Sequence, residues 1–175
     1  MEETTKDFDP IYVLAAELFF YSHRFLTKSA DAKLAEFGLG RAHFRVLHMV
    51  QHHHGIMTNQ LLRQLDIQAA SLNRVMKALL SDGYIIQESD LTDRRQRHHY
   101  LTKKGKDLYT EAFMLQQELL EIAFDEAGEN SVNKFLEMML LLLPEEGKEL
   151  LSVQRAQIKN DKVLDNGTVG TDHRV

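Results

Sequence analysis

The chain has 175 residues, a net charge of −5 and no cysteine. That length suits one domain able to bury a core, and the missing thiols exclude disulfides, thiolate metal sites and thiol-based redox sensing. The longest apolar run, residues 138–143, is far short of a membrane span. The acidic start Met1-Glu2-Glu3 lacks the character of a secretory signal. Cytoplasmic location without membrane contact is therefore the expectation.

Residues 1–8 are polar and are expected to be flexible, ahead of a domain over 9–155. Asp9 and Pro10 read as the cap and first turn of a helix. The apolar positions Leu14, Leu18, Phe19, Tyr21, Phe25 and Leu26 carry that helix on toward Phe37, where Gly38 ends it. A second helix spans 41–53, with Phe44, Leu47 and Val50 on one face and Gly55 as its stop. Thr58 reads as the N-cap of a short third helix over 59–65, buried through Leu61, Leu62 and Leu65. After a tight turn at 66–68, a fourth helix over 69–81 places Leu72, Val75, Met76, Leu79 and Leu80 inward. Two extended runs, 84–89 and 97–101, flank an arginine-rich turn and read as a hairpin.

Thr102 caps a long helix to about residue 126, which Gly128 and Asn130 break. Another helix follows over 132–143, and Pro144 opens a further turn or short helix to about residue 154. Residues 156–175 lack periodicity and read as a disordered tail.

Charge is unevenly spread along this plan. Residues 41–106 hold eleven basic against five acidic side chains, +6, so the remainder of the chain carries −11. A basic centre between acidic flanks is the pattern of a duplex-DNA reader held by helices that face solvent or a partner. Short helix, tight turn, longer helix and hairpin together make a winged helix-turn-helix, whose second helix lies in the major groove. The outer face of that helix holds Gln68, Ser71, Asn73, Arg74 and Lys77, side chains able to bond base edges or phosphate. Ala69 and Ala70 keep its start slim enough for close approach. The wing turn Asp90-Leu91-Thr92-Asp93-Arg94-Arg95-Gln96-Arg97 can push a guanidinium into the narrow minor groove. A solvated surface hairpin and a pair of packed helices remain the plainer alternatives for these segments taken singly.

Asp93-Arg94-Arg95 followed by Leu101-Thr102 and Gly105, together with Ile67-Gln68…Leu72-Asn73-Arg74 and Gly83-Tyr84-Ile85, resembles the signature of MarR-type transcription regulators. The resemblance implies a mainly α fold with a small β-hairpin wing. The dimerisation helices would be 9–37 and 103–155, and the DNA-binding lobe 41–102. It also implies a homodimer on a pseudo-palindromic operator, repression as the usual outcome, and no cofactor. Carried over by position, Arg95 resembles the wing-tip arginine of the minor groove, Asp93 the carboxylate that orients it, and Arg74 the recognition-helix arginine. Arg94 and Arg97 would then meet phosphate. Tyr100 and Leu101 are expected to pack the wing onto the domain.

Relatives of this kind often bind small aromatic or anionic effectors where the dimerisation helices meet the DNA-reading lobe. In this sequence that junction corresponds to Phe19, Phe20, Arg24, Lys28, Arg41, His43, Leu47 and Leu61. The run Met138 to Leu143 with Phe135 supplies more apolar surface than one helix face needs, as at an interface.

His48 and His52 stand one helical turn apart beside His53 and His54, a spacing able to chelate zinc. Their plainer role is a favourable interaction with the helix dipole at a C-terminus. No metal site is assigned. A zinc-responsive regulator and a winged-helix protein-interaction module are the alternative functions. An enzyme is disfavoured, because no HExxH, GxSxG, glycine-rich phosphate loop or Cys–His arrangement occurs.

Overall fold

The computed structural model describes residues 8–90 and 96–151. Seven helices and a small antiparallel sheet occupy these residues in the order α1 (Pro10–Ala35), α2 (Arg41–His52), β1 (Ile56–Met57), α3 (Thr58–Leu65), α4 (Ala69–Ser81), β2 (Ile85–Ser89), β3 (Arg97–Leu101), α5 (Lys103–Ala127), α6 (Glu129–Leu141) and α7 (Glu145–Leu150). The expected tail at 156–175, and all but the last residue of the expected flexible start, lie outside the described residues.

Local chemistry fixes the helix ends. The Asp9 carboxylate accepts from the Ile11 N–H at 3.0 Å, one of the orphan donors of the first turn of α1. α1 stops at Ala35, two residues before the expected end, and a turn over 36–38 carries the chain to α2. There the His43 ring takes the part usually played by Glu or Gln: its Nδ1 accepts from the Gly40 N–H at 3.1 Å. Thr58 is the first helical residue of α3 rather than its cap. Met57 holds the cap position, and its N–H donates to the Gln60 Oε1 at 2.8 Å. α3 ends at Asp66 in the left-handed region (φ 49°, ψ 54°), which Asp tolerates better than most residues. That bend turns the chain into α4. Past Gly128 (φ +76°), α6 begins at once with Glu129, earlier than the expected start.

The sheet has one strand more than the sequence suggested. Its order is β1-β3-β2, with Ile56 opposite His99 and Met57 opposite His98 on one side, and Ile85 opposite Leu101 through Ser89 opposite Arg97 on the other. Two residues are too few to give a period-2 signal, so β1 is visible only through its pairing.

The core sits where α2, α3, α4 and the inner sheet face meet the second half of α1 and the first half of α5. Leu34, Val46, Leu47, Val50, Leu61, Leu72, Leu79 and Ile85 are fully buried there. Each such side chain contributes on the order of 1.5–3 kcal/mol by leaving water. Thr102 fastens α5 to this core: its hydroxyl donates to the Gly83 carbonyl at 2.7 Å and accepts from the Gly105 N–H at 3.0 Å. Gly105 passes so near Tyr84 that an added Cβ would stand 2.0 Å from its carbonyl oxygen.

The first half of α1 and most of α6 contribute nothing to this core. Ala30 and Leu34 are the buried residues of α1, and Val132 that of α6.

Candidate nucleic-acid interface

α4 is two-faced. Leu72, Val75, Met76 and Leu79 are buried, whereas Gln68, Ala69, Ala70, Ser71, Asn73, Arg74 and Lys77 are all exposed. Gln68 sits exposed at the N-cap, and its amide makes no capping bond. Arg74 and Lys77 enter no ion pair among the described residues. Other basic residues of the centre are already engaged. Arg41 pairs with Asp31, Arg45 donates to the Leu65 carbonyl at 2.9 Å, and Lys103 pairs with Asp107. Lys104 donates to the Asp82 carbonyl at 2.7 Å and lies over the Tyr84 ring. The cations left on α4 thus share one outward face with hydrogen-bonding amides.

The wing rises beside α4. The Asp90 N–H donates to the Gln96 carbonyl at 3.1 Å and continues the pairing of β2 and β3 past Ser89 and Arg97 toward the turn. Asp93, Arg94 and Arg95 lie outside the described residues. Arg97 is exposed at the start of β3 and donates to the Ser89 hydroxyl at 2.6 Å. Alternation along β3 then divides its histidines. His99 is buried at 2% exposure and bonds the Thr58 hydroxyl through Nε2 at 2.9 Å; burial lowers its pKa. It ties the wing to α3 and is not available to phosphate. His98 is on the outer face. Leu101 is buried, and the half-buried Tyr100 meets the His54 ring, so both hold the wing to the domain as expected.

The residues expected at an effector site are scattered. Leu47 and Leu61 are core residues at 0% exposure and cannot line an open site, because helix packing consumes their surface. Arg41 is tied to Asp31, and His43 caps α2. Phe19, Phe20, Arg24 and Lys28 stand exposed on α1, with Arg24 over the Phe25 ring. A cavity of about 300 Å³ occurs instead between α2, α3 and residues 143–151, lined by His48, Met49, His52, His53, Gln64, Leu143, Gly147 and Leu151. None of the eight expected residues borders it. Finding it required knowing where the chain folds back after α6, which no local pattern reports.

The histidine pair also has a different use from those anticipated. His48 Nδ1 and His52 Nε2 both bond the Tyr109 hydroxyl, at 3.0 and 2.9 Å. Phe44 and Phe113 both stack with the Tyr109 ring. Burial, helped by repulsion from the neighbouring histidines, pushes His48 down to about 4, and burial also lowers His52. The lowered basicity of both rings weakens any charge they could offer the helix dipole. Among the described residues no three or more His, Asp or Glu side chains are grouped to hold a metal ion.

A short helix, a left-handed turn, a two-faced helix and an antiparallel wing define a winged helix-turn-helix protein. The MarR family model matches residues 37–96. The chain is 32% identical over 123 residues to the HTH-type transcriptional regulator PetP of Rhodobacter capsulatus, across 70% of this chain and 74% of that protein. It therefore belongs to the MarR family of DNA-binding transcriptional regulators. Its fold is similar to a MarR transcriptional regulator from Methanosarcina mazei Go1 (25% identity, TM-score 0.61, covering 78% of this chain and 98% of that one). It is also similar to a MarR mutant from E. coli complexed with operator DNA (18% identity, TM-score 0.62, covering 79% and 100%). No helix among the described residues is long and apolar enough to cross a membrane.

Proposed function

We propose that the protein acts as a homodimeric, ligand-responsive repressor on a pseudo-palindromic operator. α4 enters the major groove through Gln68, Ala70, Ser71, Asn73, Arg74 and Lys77, while Arg95, oriented by Asp93, enters the minor groove. Arg94 and Arg97 meet phosphate. The observation that carries this reading is the outer face of α4, polar, cationic and, among the described residues, free of ion pairs, opposite a face committed to the core. The operator DNA in the complex of the similarly folded E. coli MarR mutant supports a duplex-DNA target.

The dimer reading rests on the apolar surface left over by the core. Ile11, Tyr12, Leu14, Leu18, Phe20 and Phe25 on α1 are exposed, as are Ile122 on α5 and Phe135, Leu136, Met138 and Leu141 on α6. Surface of that extent on helix faces outside the core suits an interface between two copies. The mostly apolar cavity beside His48 and His52 supports a small aromatic or anionic effector at the junction of lobe and terminal helices. A ligand favouring a conformer with mis-spaced recognition helices would lower DNA affinity.

Selection of bound fragments from genomic DNA tests the reading directly. Recovery of a palindrome with half-sites about one helical turn apart is expected, with Arg95→Ala weakening binding to it by about 1–3 kcal/mol. Retention of no fragment at low salt would refute it.

A further inference from the structure

We propose that His98 is a positioning residue for DNA binding, an imidazolium clamp that fixes the turn end of the wing strands. On the outer face of β3, its Nδ1 lies 2.8 Å from the Gly55 carbonyl oxygen and its Nε2 lies 3.0 Å from the Asp90 Oδ2. A carbonyl and a carboxylate oxygen only accept, so both ring nitrogens must donate. A neutral ring has one N–H and would leave the other nitrogen's lone pair against an oxygen lone pair. The geometry therefore belongs to the doubly protonated ring.

The position of the clamp gives it a purpose. Gly55 lies in the turn before β1, and Asp90 is the last described residue before the wing turn that holds Asp93, Arg94 and Arg95. His98 thus ties the entry of that turn to the body of the lobe across β3. His98 and Asp90 are each about a quarter exposed (26% and 27%), shielded enough for a charge-assisted bond to hold its pose.

The surrounding charges favour the cation. Glu88 stands directly opposite His98 in the sheet register, adding a second carboxylate on the same face. From β1, the opposite residue is the uncharged Met57. On β3, His99 points inward and Arg97 is held by Ser89, both on the other face. The exposed His54 leans on Tyr100 on the same face. The Gly55 carbonyl, then Asp90 and Glu88, raise the pKa of His98 above its ordinary value. A group raised in this way keeps its stabilising contact below the ordinary histidine value and loses it as pH climbs through the raised one. The clamp is closed in mild acid and opens on alkalinisation, freeing the wing. Its effect on DNA rests on the wing reading given above.

The test pairs two measurements from about pH 6 to about pH 9. NMR of the ring nitrogens in the free, full-length protein reads the titration of His98. Fluorescence anisotropy with a mixed-sequence DNA duplex at low salt reads affinity for wild type, His98→Gln and His98→Arg. His98 is expected to titrate above an ordinary histidine. At the acid end His98→Gln is expected to bind DNA about 3- to 10-fold more weakly, the effect of one charge-assisted bond. Wild-type affinity should fall toward that level as pH rises, whereas His98→Arg, which keeps charge and two donors, should stay flat relative to it. An ordinary or lowered titration, or parallel pH profiles for wild type and His98→Arg, would overturn the proposal. If His98→Gln does not fold, the NMR titration and the arginine variant decide alone. Absence of binding by every variant at every pH would refute the DNA-docking reading instead, and the ring titration would still judge the clamp.

Discussion

Gly105→Ala tests how α5 is joined to the DNA-reading lobe. Gly105 lies in the first turn of α5, where the new Cβ would stand 2.0 Å from the Tyr84 carbonyl oxygen and 3.0 Å from its carbon. Carbon meets a carbonyl oxygen at about 3.3 Å or more, so α5 and the segment leading into β2 must part by roughly 1 Å. That carbonyl accepts from the Thr102 N–H at 3.0 Å and lies 3.2 Å from the Thr102 hydroxyl. Both contacts stretch when the gap opens. Overpacking costs about 1–3 kcal/mol, and weakening two hydrogen bonds adds about 1 kcal/mol each. Alanine's helix preference returns at most about 1 kcal/mol. The net expectation is a loss of about 2–4 kcal/mol in urea unfolding, read at fixed protein concentration so that any self-association is held constant. Gly147→Ala in α7 is the contrast. Its Cβ would meet only ordinary contacts, 3.4 Å and beyond, so the change should be neutral or slightly stabilising. A Gly105→Ala protein within about 0.5 kcal/mol of wild type would show that the close approach does not constrain the fold, and the account of the α5 junction would fail.

Three other outcomes follow from the same structure. Lys77→Ala should weaken binding to all duplexes alike and lower the slope of log affinity against log salt by about 1, whereas Asn73→Ala should alter base preference more than salt dependence; equal salt slopes for Lys77→Ala and wild type would remove Lys77 from the interface. Leu18→Asp, on the exposed apolar face of α1, should shift sedimentation from dimer to monomer while leaving each copy folded, since Leu18 is outside the core; an unchanged dimer would place the interface elsewhere. Burial holds His48 neutral with a pKa lowered to about 4, so its contribution to stability is complete above the ordinary histidine value and is lost as pH falls from there toward 4. The loss should be about 1–2 kcal/mol after allowance for partial exposure. His48→Gln should flatten that part of the acid-unfolding curve, and an unchanged slope would count against the neutral ring.

Local pattern alone determined the two faces of α4 and the start of α5. Leu72, Val75, Met76 and Leu79 repeat at helical spacing, and the residues between them are polar and basic, so the sequence already states which face of α4 turns inward and which turns out. Thr102 before Lys103 and Gly105 announces the start of α5 in the same short-range way. Such signals are readable because each depends on neighbours within one or two turns of the same helix. Tertiary structure decided whatever depended on distant partners. β1 is two residues long and exists because β3 pairs with it. Thr58 looks like a cap, but it gives its hydroxyl to His99, 41 positions on, and Met57 with Gln60 takes the end of the helix. His48 and His52 have a metal-like spacing, yet Tyr109 from another helix draws both rings to one hydroxyl. Leu47 and Leu61 carry nothing in sequence to separate a core leucine from a pocket leucine; only the assembled helices close over them. Spacing along a chain fixes direction on a helix, whereas use depends on what the rest of the fold brings opposite.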